Sequence, residues 1–557
     1  MRGALLGALI VVQSALIPLA TKDARAETAT LYRNAKVLTV DQGFRTAEAF
    51  AVRGDTILAV GTEAEVSEKA GSDAKVQDLG GRTVIPGLID NHVHMLRAAA
   101  TWADEVRLDG ADTVEEALAR IREKAAKTPK GQWIYTLGGF TEGQFENGPH
   151  WFSRSELDAA APDHPVYLQH MFSHAYVNSA AARVAGLTGA TAKALARTGE
   201  MPAGPDGLPL GPVAGRAMSQ VRAWVPGPNA DKARAGALAI THEFAAAGLT
   251  AVFDMGGFGI RDQDYPPFAA LAEENRLPIR VFHTRWFRND DGPRGREAFE
   301  RETSGLKVFS GPPFFRLIGA GELLHMPMMD STDQPGSGDP ADLARFEQIL
   351  RTLAKAGWPV RIHTESDVTI SRHLDIIERM VASGIPVAPL RWTIEHADGI
   401  SDRSLRRMKA LGMMAALHSR PLVFGTRHHQ AIGDRAYGLP PLRRVQDSGV
   451  PWGLGSDSLM ANVFNPFHTL WWAVTGKALD GKQVTRPTLT REEALIAHTR
   501  SNAYLLFAER EIGSIEPGKF ADFVVLSDDY MTIPVDGIRD LRAVMTVVAG
   551  KVVHDAR

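Results

Sequence analysis

The sequence predicts an α/β protein organised as a (β/α)8, TIM-like barrel, with short β-strands at both ends of the chain. Three observations lead there. Between residues 87 and 506, β-prone runs alternate with helical patterns, the signature of βα units wound into a parallel sheet. On either side of that region the runs shorten, and Gly and Pro turns separate them. At the boundary, residues 83–94 read T-V-I-P-G-L-I-D-N-H-V-H, an apolar run that ends in two histidines one residue apart.

Taken in order, the chain begins with Arg2 and an apolar stretch over residues 4–20, followed by Ala24-Arg25-Ala26, a small-x-small cleavage pattern. Residues 1–26 are therefore expected to be a signal peptide, cut before Glu27, with the mature protein exported to the periplasm. Gln13, Ser14 and Pro18 interrupt the stretch, and it falls short of the roughly 20 apolar residues that span a bilayer, so no stable membrane insertion is expected after cleavage. The chain has no cysteine, which excludes disulfides, a thiol nucleophile and thiolate metal ligands. Hydrophobic residues make up 44%, enough for a large core, and the formal charge of −3 leaves no basic surplus for nucleic acid. Homo-oligomerisation is left open.

Residues 27–86 read as short strands over 35–40, 47–53 and 56–60, with Gly54-Asp55 turning the last two into a hairpin. Residues 507–557 mirror this with strands around Pro517-Gly518 and Ala549-Gly550-Lys551. Candidate barrel strands after the first lie at 133–138, 165–169, 249–254, 278–284, 314–318, 359–363, 392–396, 413–418 and 451–456. A closed eight-stranded barrel needs only seven more. One or two early runs must then belong to an insertion near 140–230, where Gly and Pro cluster over residues 202–212. Thr490 and Glu493 have capping-box spacing and open a helix expected to reach about Phe507.

On a strand, residues two apart face the same way, so His92 and His94 can share one ion. Neutral imidazoles suit zinc and similar borderline cations. Three later runs also end in polar residues: P-V-R-I-H-T-E-S-D reaches His363, R-W-T-I-E-H-A-D reaches His396, and W-G-L-G-S-D-S reaches Asp457. In the order His-x-His, His, His, Asp, these motifs resemble the amidohydrolase superfamily. G-L-I-D-N-H-V-H and L-G-S-D-S are similar to its amidohydrolase-3 branch, which includes N-substituted formamide deformylase-like enzymes.

The resemblance implies that the terminal strands pair into one composite β-sandwich. It implies a divalent metal cofactor, with zinc the expected ion, held by His92, His94, His363, His396 and Asp457. It further implies that Asp457 shuttles the catalytic proton during hydrolysis of a non-peptide amide, an N-acyl or N-formyl amine, in a small-molecule substrate. The alternatives are a deaminase or cyclic-imide hydrolase on the same scaffold, or a catalytically silent exported barrel, against which the filled ligand positions argue. His174, in S-H-A-Y-V-N-S, and His418, at the end of the seventh barrel strand, are substrate-binding candidates. Glu395 is expected to face away from His396, and Trp471-Trp472 to pack a helix on the barrel.

Many relatives in the resembled family place a carboxylated lysine on the fourth barrel strand, bridging two ions, and here that position is Arg316. A guanidinium stays protonated and cannot bridge. The expectation is one tightly held ion, or two if Glu322, just beyond the same strand, supplies the bridge. Arg316 is expected to point away or to pair with an acid such as Glu322.

Overall fold

The computed structural model describes residues 27–171, 173–257, 259–287, 293–459 and 462–557. The signal-peptide expectation falls on residues 1–26 and lies outside the described residues. Among the described residues, no helix is long and apolar enough to cross a membrane.

The fold is a mixed α/β one, carried by eight parallel strands. These are β1 (Leu88–Val93), β2 (Leu249–Asp254), β3 (Arg280–Arg285), β4 (Phe315–Ala320), β5 (Arg361–Thr364), β6 (Thr393–His396), β7 (Met414–His418) and β8 (Trp452–Gly455). Strands β1 to β4 form one sheet and β5 to β8 another, each in sequence order. Parallel bridges join Ala320 to Val360 at the β4/β5 seam and Val93 to Ser458 at the β8/β1 seam. The strands are buried on both faces, which is why Leu249 to Asp254 reads as a near-continuous apolar run instead of alternating.

The two early candidate strands do not join these sheets. Ile134–Thr136 and Val166–His170 pair in parallel, then continue into His174–Val177 and Val213–Ala214 as a separate four-stranded sheet inserted between β1 and β2. It has its own apolar cluster, including Tyr167, Leu187, Met201 and Val221.

The run over residues 83–94 is two strands. Thr83–Pro86 belongs to a six-stranded sheet, where it pairs antiparallel with Phe523–Leu526, and β1 starts two residues later. Gly87 turns the chain between them: its N–H donates to the Asp522 carbonyl at 2.9 Å, and a Cβ there would lie 2.0 Å from Thr250 Oγ1. A second sheet, made only of N-terminal strands, packs Tyr32 and Phe50 against Phe523 with ring centroids 5.1 and 4.8 Å apart. The 54–55 turn forms as expected, with Gly54 at φ 61°. Behind β3, buried Arg280 holds Asp522 at 2.9 and 3.2 Å, tying the parallel strands to the terminal sheet.

The helix opened by Thr490 has its capping box but does not run to Phe507. It stops at Ala497 and restarts as Arg500–Leu505. The His498 carbonyl instead accepts from the Ile89 N–H at 2.9 Å, and Asn502 Nδ2 donates to the carbonyls of Ile89 and Leu454 at 2.5 and 2.7 Å. Bonding to the parallel strands has replaced the helical ladder. Trp471 and Trp472 are buried on the helix Pro466–Thr475, their indole N–H groups held by Asp536 and Thr485.

Candidate metal centre

Six side chains gather where the eight strands end. His92 and His94 come from β1 and the residue after it, His363 from β5, His396 from β6, Asp457 from two residues past β8, and Glu322 from two residues past β4. Their donor atoms fall into two sets, His92/His94/Asp457 and Glu322/His363/His396, each within 4.8 Å of one another. The Glu322 carboxylate lies between the sets. Its Oε2 is 3.0 Å from His363 Nδ1, 3.1 Å from His396 Nε2 and 3.7 Å from His92 Nε2, while Oε1 is 3.6 Å from His94 Nε2. Asp457 Oδ1 faces His94 Nε2 at 3.2 Å and His92 Nε2 at 3.6 Å.

The far side of each ring is fixed by a neighbour. His92 Nδ1 meets Glu395 Oε2 at 2.8 Å, His94 Nδ1 meets the Gly256 carbonyl at 2.9 Å, and His363 Nε2 meets the Asp330 carbonyl at 3.3 Å. Such contacts set the tautomer and aim the remaining nitrogen. His92 Nε2, aimed between Glu322 and Asp457, is buried and has no hydrogen-bond partner, so the donor set fits a divalent cation. Burial opposes charge on His94 and His363, yet bonds and charge from Asp457 and Glu322 outweigh it and push each up to about 9. Burial likewise opposes the Asp457 carboxylate, but the His94 hydrogen bond and the surrounding imidazoles hold it down to about 2. The cluster favours positive charge on His94 and His363.

Backbone conformation concentrates here as well. His396, Ala397 and Asp457 have φ of 67°, 52° and 60°, a region that side chains beyond glycine rarely occupy. The left-handed turn at His396 corrects the expectation for Glu395. Strand alternation predicts opposite faces, but the turn swings the His396 ring inward so that both residues reach the cluster. Glu395 bonds His92 and is paired on its other oxygen with Arg361 Nε, both fully buried.

Three further residues are placed by the structure. Arg316 points away, as expected, and pairs with an acid, Glu511, at 2.8 and 3.3 Å. His418 is not at a substrate-facing surface: it has no exposed area, its Nδ1 lies 2.9 Å from His396 Nδ1, and its ring packs 4.3 Å from His92, underneath the cluster. His174 sits in the inserted sheet, away from this cluster, in contact with Glu142, His170, Ser173 and Tyr176. Sequence reasoning gave Glu395 a supporting role, which its bond to His92 fits, but missed Arg420, whose guanidinium pairs with Glu365 at 2.7 Å and with Asp398 and lies 3.8 Å from Asp457 Oδ2. Arg420 stands two residues past His418, a signal readable once β7 is placed.

Parallel strands whose ends converge imidazoles and carboxylates on one point define a metal-dependent hydrolase. The sequence model of the amidohydrolase family matches residues 75–554, and the chain belongs to that family. It is an enzyme, a hydrolase of carbon–nitrogen bonds other than peptide bonds. N-substituted formamide deformylase of Arthrobacter pascens is 27% identical, covering 93% of this chain and 96% of that protein. Protein LONG AFTER FAR-RED 3 of Arabidopsis thaliana is 28% identical, over 89% of this chain and 87% of its own. Among solved structures, an uncharacterized metal-dependent hydrolase from Pyrococcus horikoshii OT3 shares the fold at a TM-score of 0.62 and 20% identity, covering 91% of this chain and 99% of that one.

Proposed function

We propose that this enzyme hydrolyses the amide bond of a small molecule, an N-acyl or N-formyl amine, and that Glu322 bridges two divalent ions. The observation that carries the reading is the Glu322 carboxylate, with one oxygen toward His94 and the other toward His363 and His396. A carboxylate in that position supplies what Arg316 cannot. His92, His94 and Asp457 would hold one ion, His363 and His396 the other, with zinc the expected element. Bound ions of this kind lower the pKa of water and polarise a carbonyl.

The chain's own residues do the rest. Asp457, ionised at neutral pH, takes a proton from the attacking water at its carboxylate and returns it to the departing nitrogen, which otherwise leaves as a poor amide anion. Arg420, paired with Asp398 and Glu365, places its guanidinium 3.8 Å from the Asp457 carboxylate. Glu395 and Arg361 hold the His92 ring. The formyl reading draws on the deformylase relative. The bridges at both seams support a closed (β/α)8 barrel, and the paired terminal sheets support a composite β-sandwich. Export is part of the same reading: mature protein from the native host is expected to start at Glu27, and an intact Met1 on N-terminal sequencing would refute it.

The test is metal analysis of the purified protein, followed by amine-release assays across N-formyl, N-acetyl and cyclic amides. Two ions at the Glu322 centre of each chain, both weakened by Glu322→Gln, and amine release that chelator abolishes and zinc restores, are expected. Failure of every amide with fully loaded protein would overturn the substrate class, and a single ion that Glu322→Gln leaves in place would overturn the bridge.

A further inference from the structure

A second convergence of metal-ligating side chains lies outside the barrel cluster, in the inserted sheet. Glu142, on the short turn Glu142–Gln144, points its carboxylate at two imidazoles from adjacent antiparallel strands, His170 and His174, which face each other across the hairpin. His174 Nε2 is 2.7 Å from Glu142 Oε1, and His170 Nε2 is 2.9 Å from Oε2. The two rings stack with centroids 4.7 Å apart. One ligand atom from each residue lies within 4.8 Å of the others. Tyr176 adds its hydroxyl to Glu142 Oε1.

Counting donors and acceptors shows what the cluster lacks. Both Nδ1 atoms face one hydroxyl, Ser173 Oγ, at 3.2 Å from His170 and 2.9 Å from His174. A hydroxyl has a single proton to give, so at least one ring must carry its own hydrogen on Nδ1. In neutral form that ring presents a bare Nε2 lone pair to a carboxylate oxygen less than 3 Å away, which is repulsive. His170 Nε2 is buried with no bond of proper geometry, and its side chain is only 3% exposed. The arrangement needs a cation between the imidazoles and the carboxylate. Two imidazoles and one carboxylate are a ligand set of zinc and similar borderline dications, and Ser173 anchors the outer nitrogens.

We propose that Glu142, His170 and His174 bind a divalent cation of the zinc class at a site separate from the barrel centre. The ion is reached from His174, the most exposed ligand at 19%, which lines a cavity of about 470 Å³ together with Ser173, Met201 and Pro212. Its position gives it a mechanical role. The Glu142 turn rests on the helix Pro421–Ile432, where a Cβ on Gly143 would meet the Val423 carbonyl at 2.0 Å, and His170 lies 6.4 Å from the Phe424 ring. That helix follows directly from His418 and Arg420. The ion therefore fastens the inserted sheet to the element that borders the barrel centre.

Two measurements test this on the full chain. After zinc loading and gel filtration, wild-type protein is expected to hold one equivalent more than His174→Gln or Glu142→Gln, whatever the barrel centre holds. Equal zinc in all three overturns the proposal and identifies the missing cation as a proton. The second needs no variant: chelator-treated and zinc-reloaded wild type are modified with diethyl pyrocarbonate and mapped by mass spectrometry. Modification of His174 is expected to fall at least tenfold on reloading, and an unchanged rate overturns the site even where a variant fails to fold.

Discussion

Replacing Glu395 by Gln removes one negative charge without changing shape, and it removes it from between His92 and Arg361. The two charged partners, Glu395 and Arg361, are 0% and 2% exposed, so solvent screens neither. At a charge separation of about 4 Å and an effective dielectric near 20, the lost attraction is about 4 kcal/mol, which agrees with the roughly 3–5 kcal/mol cost of breaking a buried pair. Both Nη atoms of Arg361 already lack partners, so no second acceptor takes over. His92 also loses the anion that makes its ring a better donor, an effect worth about 10- to 100-fold in metal affinity. The metal-free variant should therefore show a large drop in urea midpoint, and chelator competition should show the affinity loss separately. The double variant Arg361→Met/Glu395→Gln should recover part of the stability and none of the affinity. A midpoint within about 0.5 kcal/mol of wild type, with metal affinity within about twofold, would refute the argument that this pair holds His92.

Asp457→Asn should lower kcat by about 100-fold or more while much of the metal stays, because the proton acceptor is lost and an oxygen donor remains; turnover near wild type removes Asp457 from the chemistry. Metal affinity should depend on pH with a definite sign. His94 and His363, pushed up to about 9, hold protons below that pH that an ion must displace. Zinc affinity should thus weaken as pH falls from about 9 toward 7, by about tenfold per pH unit for each displaced proton, with proton release on zinc addition; a flat profile contradicts it. Arg316→Met should leave metal content and kcat within about twofold, since Arg316 pairs with Glu511 outside the cluster. Loss of metal in that variant would place Arg316 in the site after all.

The metal-ligand candidates were legible for a simple reason: each stands at the end of an apolar run, and parallel strands bring their ends to one face. That rule makes each of His92, His94, His363, His396 and Asp457 a candidate; it was their resemblance to the amidohydrolase pattern that singled them out as a set, and the lysine position of that pattern that pointed to Glu322. The rest required knowledge of local backbone. Glu395 was misjudged because the alternation rule fails at the positive φ of His396. The break at His498 was invisible because its cause is Ile89, some 400 positions away in sequence. Glu142 and His170 join His174 only through the pairing of a sheet whose strands, Ile134–Thr136 and Val166–His170, look like any others in the barrel series.

The pairing of Thr83–Pro86 with Phe523–Leu526 has a consequence for how the molecule comes into being. The strand that ends in the first two histidines is moored, through Gly87, to a sheet whose partner strand, Phe523–Leu526, is made about 430 residues later. A nascent chain thus presents His92 and His94 long before the strand that anchors them exists, and Arg280 likewise precedes Asp522 by 242 positions. Order of synthesis and order of assembly are opposed. The strand that carries His92 is anchored by a segment made after every candidate ligand, though that segment contributes none of them.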